Sequence, residues 1–175
     1  MKLRPLRFNS YLFVLTAALL SACESTSPTG SAKAASEVAT LRVHMETHAD
    51  PMGRSRQISV GREERQTFFV APAMLSERNL AAARLLEGVE GQFAIQLQFD
   101  RDGVRELEMM SMSYRGKRLA LGSQFPEPRW IGTVRMDRRI ADGTLLFRPD
   151  ATYEEALRIV RLLNSTVEKL KKYKD

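Results

Sequence analysis

The sequence predicts an α+β domain: a mixed, mostly antiparallel sheet with two or three helices packed on one face. Three observations predict it. Short runs alternate apolar and polar side chains with the period of a half-buried strand, most clearly in Phe93-Ala-Ile-Gln-Leu-Gln-Phe99. Two longer stretches place apolar residues three or four positions apart behind a capping residue, which is the pattern of an amphipathic helix. Turn signals separate these segments, and no repeat of roughly 20 to 50 residues recurs, which argues against a solenoid or propeller.

The chain begins with a segment that does not belong to that domain. Lys2, Arg4 and Arg7 precede the apolar run Tyr11 to Leu20, which is too brief to span a bilayer and suits a cleaved export signal over residues 1–22. It ends in Leu20-Ser21-Ala22-Cys23, which resembles the bacterial lipobox. That resemblance implies cleavage before Cys23 and acylation of its sulfur and its new amino group. Several acyl chains on one residue anchor firmly, since each buried methylene contributes about 0.8 kcal/mol. Glu24 stands where Asp would mark inner-membrane retention in enterobacterial lipoproteins, so the same resemblance implies a periplasmic protein held to the inner leaflet of the outer membrane. Residues 23–38 follow as a flexible linker rich in Ser, Thr, Ala, Pro and Gly, with a reach of about 20 Å.

The folded domain is expected over residues 39–175. Leu41, Val43 and Met45 alternate with Arg42, His44 and Glu46 as a strand, broken by Asp50-Pro51-Met52-Gly53, with a hairpin return through Gln57 to Val60. Thr67 to Val70 reads as another strand, halted by Pro72. Ser76 is positioned to cap a short helix carrying Leu80, Ala83 and Leu86 and closed by Gly88. The strand Phe93 to Phe99 presents Ala94, Gln96 and Gln98 on a face open to water or a partner. Asp100 or Asp102 caps a helix with Val104, Leu107, Met110 or Ser111, and Tyr114 at helical spacing, ended by Gly116. Strands follow at Lys117 to Leu121, at Arg129 to Met136, and at Thr144 to Phe147 after the turn Asp142-Gly143. The last helix opens with the capping box Thr152-Tyr153-Glu154-Glu155 and carries Ala156, Val160, Leu163, Val167 and Leu170 along one stripe.

Charge and composition exclude several functions. Of 27 Lys and Arg, three lie in the leader, which has no acid, so the rest of the chain has a surplus of three over its 21 acids. So small a surplus does not make the basic field of a nucleic-acid binder. The single Cys excludes an internal disulfide and a Cys-cluster zinc site. His44, Glu46 and His48 lack a third strong metal ligand by spacing and read as solvent-facing residues. Ser59 and Ser123 lack the G-x-S-x-G elbow. Asp100-Arg101-Asp102-Gly103 departs from a calcium loop at its later positions and reads as a helix cap. No catalytic residue, metal or cofactor is therefore expected. Three side chains are candidates for contact with a protein partner: Met109 and Met112 at the edge of their helix, because methionine is an adaptable contact residue, and Trp130, the sole Trp.

Residues from about Phe68 to Leu170 resemble the head subdomain of the first periplasmic domain of SecD, of the SecD/SecF family of protein-export subunits. The resemblance rests on FFVAPAMLSERNLAAARL, read as a strand and short helix, on FAIQLQFDRDGVRELEMMSMSYRGKRLAL, and on RIADGTLLFRPDATYEEALRIVRLL. Its strongest points are Gly103, Gly116-Lys117 with Leu119-Ala120-Leu121, Arg139-Ile140 with Gly143, and Thr152 with Glu154-Glu155-Ala156. None of these is catalytic. The chain departs from the family at Gly122-Ser123 and at Glu127-Pro128-Arg129-Trp130, and it has none of SecD's transmembrane helices. What the resemblance implies is a stand-alone, lipid-anchored domain that binds a protein partner, in protein export or envelope maintenance. A small-molecule carrier, or an enzyme using Asp100, Asp102, Glu106 and Glu108, is the alternative.

Overall fold

Along β1 (Thr40–Thr47), Leu41, Val43 and Met45 are buried on one face while Arg42, His44 and Glu46 take the other. The computed structural model describes residues 39–61, 65–124 and 127–173, so the expected leader, Cys23 and the linker lie outside the described residues. β1 is the middle of a five-stranded sheet. Beside it on one side lie β3 (Gln66–Ser76) and then β2 (Arg56–Val60); on the other lie β6 (Arg118–Gln124) and then β7 (Pro128–Arg135). A second sheet joins β4 (Leu80–Glu87), β5 (Phe93–Phe99) and β8 (Thr144–Phe147), with β5 in the middle. Every pairing in both sheets is antiparallel. Two helices complete the described fold, α1 (Arg101–Ser113) and α2 (Tyr153–Lys171).

The domain is α+β and dominated by its strands, but it departs from the expected single sheet with helices on one face. One large core lies among both sheets and both helices. It joins Leu41 and Leu121 of the larger sheet, Ile95 and Leu97 of the smaller, Leu107 and Met110 of α1, and Ile159 and Leu163 of α2. A smaller core of Ile58, Val60, Phe68, Val70 and Ala120 fills the opposite face of the five-stranded sheet, with Trp130 packed against it. That sheet therefore has apolar side chains on both sides. It covers the second side by curling, so that β2 and β7, the two ends of its strand order, come side by side. Register shifts at Val43/His44, His44/Glu46 and Leu121/Gly122 supply the bend, because a bulge increases local twist.

Several local expectations are corrected. The stretch 76–88 forms no α-helix. Ser76 does act as a cap, but of a single 3₁₀ turn over Glu77–Asn79, and Leu80–Glu87 is strand β4. Its Ala, Leu and Arg content favours a helix locally; pairing with β5 along its whole length overrides that preference. The hairpin after β1 is not formed either, since β2 pairs with β3 and β3 lies between β2 and β1. Pro72 does not end its strand: β3 continues to Ser76 past Val70, where its pairing with β2 stops, so Pro72 lies where one edge of the strand has no ladder partner.

Both helix starts follow from their caps. Asp100 Oδ1 accepts the Gly103 N–H at 2.9 Å. Thr152 and Glu155 make the reciprocal capping box, at 3.2 and 2.9 Å. Gly143, at φ +66°, sits against Val104 of α1, where any Cβ would collide with that side chain. Turn chemistry and close packing thus select the same residue.

The outer edge of β4 is closed by a side chain. Asn164 of α2 accepts the Ala83 N–H at 2.8 Å and donates to the Ala83 carbonyl at 2.9 Å, as a neighbouring strand would. Replacing Asn164 by Ala leaves both backbone groups without that partner. We expect a loss of about 1–3 kcal/mol in denaturant unfolding, with faster amide exchange at Ala83 than at Ile95 in the middle strand.

Candidate functional site

The concave side of the curled sheet is closed at one end and open at the other. At the closed end Arg118 donates from Nη2 to Glu46 Oε1 at 2.8 Å, from Nε to Oε2 at 3.0 Å, and from Nη1 to Gln66 Oε1 at 3.0 Å. Its guanidinium also lies 4.4 Å from the centre of the Phe68 ring. This arrangement holds the Glu46 carboxyl below the usual carboxylate range, chiefly through the hydrogen bonds from the Arg118 side chain. The apolar cluster comes next. Beyond it the concave side opens into a cleft of about 270 Å³.

Strand alternation decides which side chains face this cleft. Arg42 and His44 lie on the face of β1 opposite Leu41 and Val43. Gly122 pairs with Arg42 across β1 and β6, and Trp130 pairs with Gly122 across β6 and β7, so all three share that face. Arg56 pairs with Val70, a member of the small core, and enters from β2 on the same side. Ser123 pairs with Leu41 and Arg129 pairs with Ser123, which places both on the large-core side. Arg129 there reaches Glu155 of the α2 capping box at 3.3 Å.

Trp130 stands half-buried over Gly122, whose missing side chain makes the room: a Cβ there would lie 3.3 Å from the indole. His44 meets the Trp130 ring edge to face, with centroids 5.1 Å apart. Its Nδ1 lies 2.8 Å from the Ala71 carbonyl oxygen, which only accepts, so Nδ1 carries the hydrogen and Nε2 is the bare nitrogen of the neutral ring. The expected solvent-facing role for His44 is thus corrected to that of a half-buried wall residue. Its pKa is lowered, first by burial and then by the charges of Arg56 and Arg42, against the opposing hydrogen bond to Ala71. Arg42 itself is paired with Glu77. Among the described residues lining the cleft there is no Asp or Glu.

The other candidate side chains lie elsewhere. Met110 is buried, whereas Met109 and Met112 of α1 are 50% and 61% exposed, and neither lines the cleft that holds Trp130. Three of the four carboxylates of the alternative enzymatic reading, Glu106 being the fourth, are engaged along α1: Asp100 caps it, Asp102 pairs with Arg105 at 3.4 Å, and Glu108 pairs with Arg139. Among the described residues no group of three His, Cys, Asp or Glu is placed to hold a metal ion.

A second surface lies on the smaller sheet. Its outer face carries Ala82, Arg84, Leu86, Ala94, Gln96, Gln98, Thr144 and Leu146, with one charge among them. Leu86 and Leu146 are 39% and 54% exposed. β8 is hydrogen-bonded to a strand on one side alone among the described residues. A groove of about 710 Å³ runs beside it, bounded by Leu146 and Gln96, by Val134 and Arg135 of β7, and by the loop Asp137 to Asp142. α1 holds that loop through Ser111 Oγ, which accepts the Ile140 N–H at 2.9 Å, and through Glu108, which takes Arg139. Neither Arg42 and Arg56 nor this groove stands out in the sequence. The one available signal was the polar face of Phe93 to Phe99.

Neither any protein-family model nor any curated protein matches this chain. Among solved structures, it is similar to a membrane component, SecDF, that enhances protein export, with 19% identity over 74% of this chain and a TM-score of 0.55. It is likewise similar to SecDF in the super-membrane-facing form, with 19% identity over 73% of this chain and a TM-score of 0.54. The matches span 64% and 19% of those chains. At that identity the likeness shows a SecDF-like fold. No helix among the described residues is long and apolar enough to cross a membrane.

The lowered pKa of His44 fixes the sign of a pH effect. The folded state favours the neutral ring, so its contribution to stability is complete above 6.5 and is lost as pH falls below that value through the folded pKa. We expect an NMR titration to place the His44 midpoint below 6.5, and Arg56→Gln to raise it. Thermal melts between pH 7 and 5 should fall less steeply for His44→Gln than for the native chain.

Proposed function

We propose that this protein is a lipid-anchored periplasmic module that binds an extended protein segment, in or beside protein export, and performs no chemical step of its own. The observation that carries the reading is the open side of the smaller sheet: a weakly charged face, a strand with one free edge, and a groove along that edge. A free strand edge offers backbone donors and acceptors to any extended chain, and apolar side chains beside it select which chain fits. Met109 and Met112 add adaptable apolar surface on α1. The SecDF-like fold supports a place near exported polypeptides by analogy of fold alone.

The anchor is part of the proposal. Leu20-Ser21-Ala22-Cys23 has the lipobox pattern, and the linker after it gives the domain its stand-off from the bilayer. Glu24 favours the inner leaflet of the outer membrane as its location.

Two measurements test this reading. Mass spectrometry of the membrane-extracted protein should find a fatty-acylated Cys23 at the amino terminus, and Cys23→Ala should release the chain from membranes; an unmodified Cys23 would refute the anchor. A photo-crosslinking residue at Leu146 should capture envelope or exported polypeptides in living cells, and one at the still more exposed Met52 should not. Equal yields at both positions would refute the binding surface.

A further inference from the structure

The open cleft of the five-stranded sheet differs in chemistry from the groove on the smaller sheet, and it supports a separate inference. Its lining presents two guanidiniums, Arg42 and Arg56, an imidazole that feels both charges, and the indole of Trp130 in edge-to-face contact with that imidazole. No carboxylate lines it among the described residues. Arg42 reaches the Glu77 carboxylate and the Leu41 carbonyl through Nη1 alone, so that pair occupies one nitrogen of the fork. Thr40 and Gln124 add neutral polar groups at the rim.

A planar guanidinium fork suits the paired oxygens of a carboxylate or phosphate, and two of them in a recess strengthen that preference. Trp130 supplies the second half of the recognition. Its ring packs against Gly122 and meets His44 edge to face, so a fixed, half-buried indole lines the cleft as an apolar surface. The volume of about 270 Å³ lies just below the usual range for small-ligand sites, which suits a small anion.

From this geometry we infer that the cleft binds a small organic anion, a carboxylate or phosphate group held between Arg42 and Arg56 with its apolar body laid against Trp130. The inference does not depend on the anchor or on the peptide groove, and either can fail without the other.

Trp130 is the sole Trp of the chain and stands in the site, so its fluorescence reports occupancy directly. The full-length protein in nonionic detergent is titrated with phenyl phosphate, with inorganic phosphate, with benzyl alcohol as the neutral body, and with phosphatidylglycerol mixed into the micelles. The expected result is a saturable change in Trp130 emission with phenyl phosphate, weaker binding of inorganic phosphate, and no saturation with benzyl alcohol. Arg56→Gln should weaken phenyl phosphate binding about tenfold, the scale of a lost charge-assisted hydrogen bond. Arg56 is exposed at the start of its strand, and unchanged melting of the variant checks that the fold is kept. Saturation by phosphatidylglycerol as well, with the same sensitivity to Arg56→Gln, identifies a lipid headgroup as the source of the anion; saturation by phenyl phosphate alone identifies a soluble ligand. Absence of a saturable change with every anion, equal binding by Arg56→Gln, or equal saturation by benzyl alcohol would overturn the inference.

Discussion

A sheet with apolar side chains on both of its faces must be covered twice, and that constraint organises this domain. Leu41, Val43, Leu119 and Leu121 on one side of the five-stranded sheet require a partner layer, which the smaller sheet and the two helices supply. Ile58, Val60, Phe68, Val70 and Ala120 on the other side require a second layer, and here the sheet covers itself by curling until its end strands meet. The three bulges that allow the bend lie in the pairings of β1 with β3 and of β6 with β7, and β1, β6 and β7 line the cleft. Without the curl the small core would be exposed, and Arg56 and Trp130 would stand at opposite ends of a flat sheet.

Curling also creates a polarity along the concave side. At one end an Arg118–Glu46 pair with three hydrogen bonds between side chain and carboxylate, counting the backbone N–H, neutralises its own charge and closes the interior. At the other end cations stand without carboxylates on the same wall, and burial together with the charges of Arg56 and Arg42 lowers the His44 pKa. The same residue types therefore perform opposite tasks a few residues apart on β1 and β6. Glu46 is matched to Arg118 within the wall, whereas Arg42 finds its acid, Glu77, outside the cleft.

What the sequence disclosed was whatever is decided within a few residues. The Asp100 and Thr152 caps, the apolar stripe of α2, the alternation of β5 and the turn at Gly143 all depend on near neighbours, and all appear in the structure. What it hid depends on distant partners. Strand β4 looks helical until β5 pairs with it and Asn164, 81 residues on, bonds the backbone of Ala83. The separation into two sheets and the insertion of β3 between β1 and β2 are likewise long-range choices. The cleft was hidden for the same reason. Trp130 stood out as the sole Trp, but nothing near it in sequence announces Arg42 or Arg56, and only closure of the sheet brings them together.

The described chain starts at the head of β1, and Thr166 of α2 donates a hydrogen bond to the Ala39 carbonyl at 3.1 Å just before that strand. β1 is also the strand with two neighbours on each side in the larger sheet. A pull arriving through the amino-terminal segment is therefore applied along the axis of the innermost strand, and it must shear the ladders to β3 and β6 together instead of peeling an edge one bond at a time. Resistance to such loading is set by the barrier to unfolding and not by equilibrium stability.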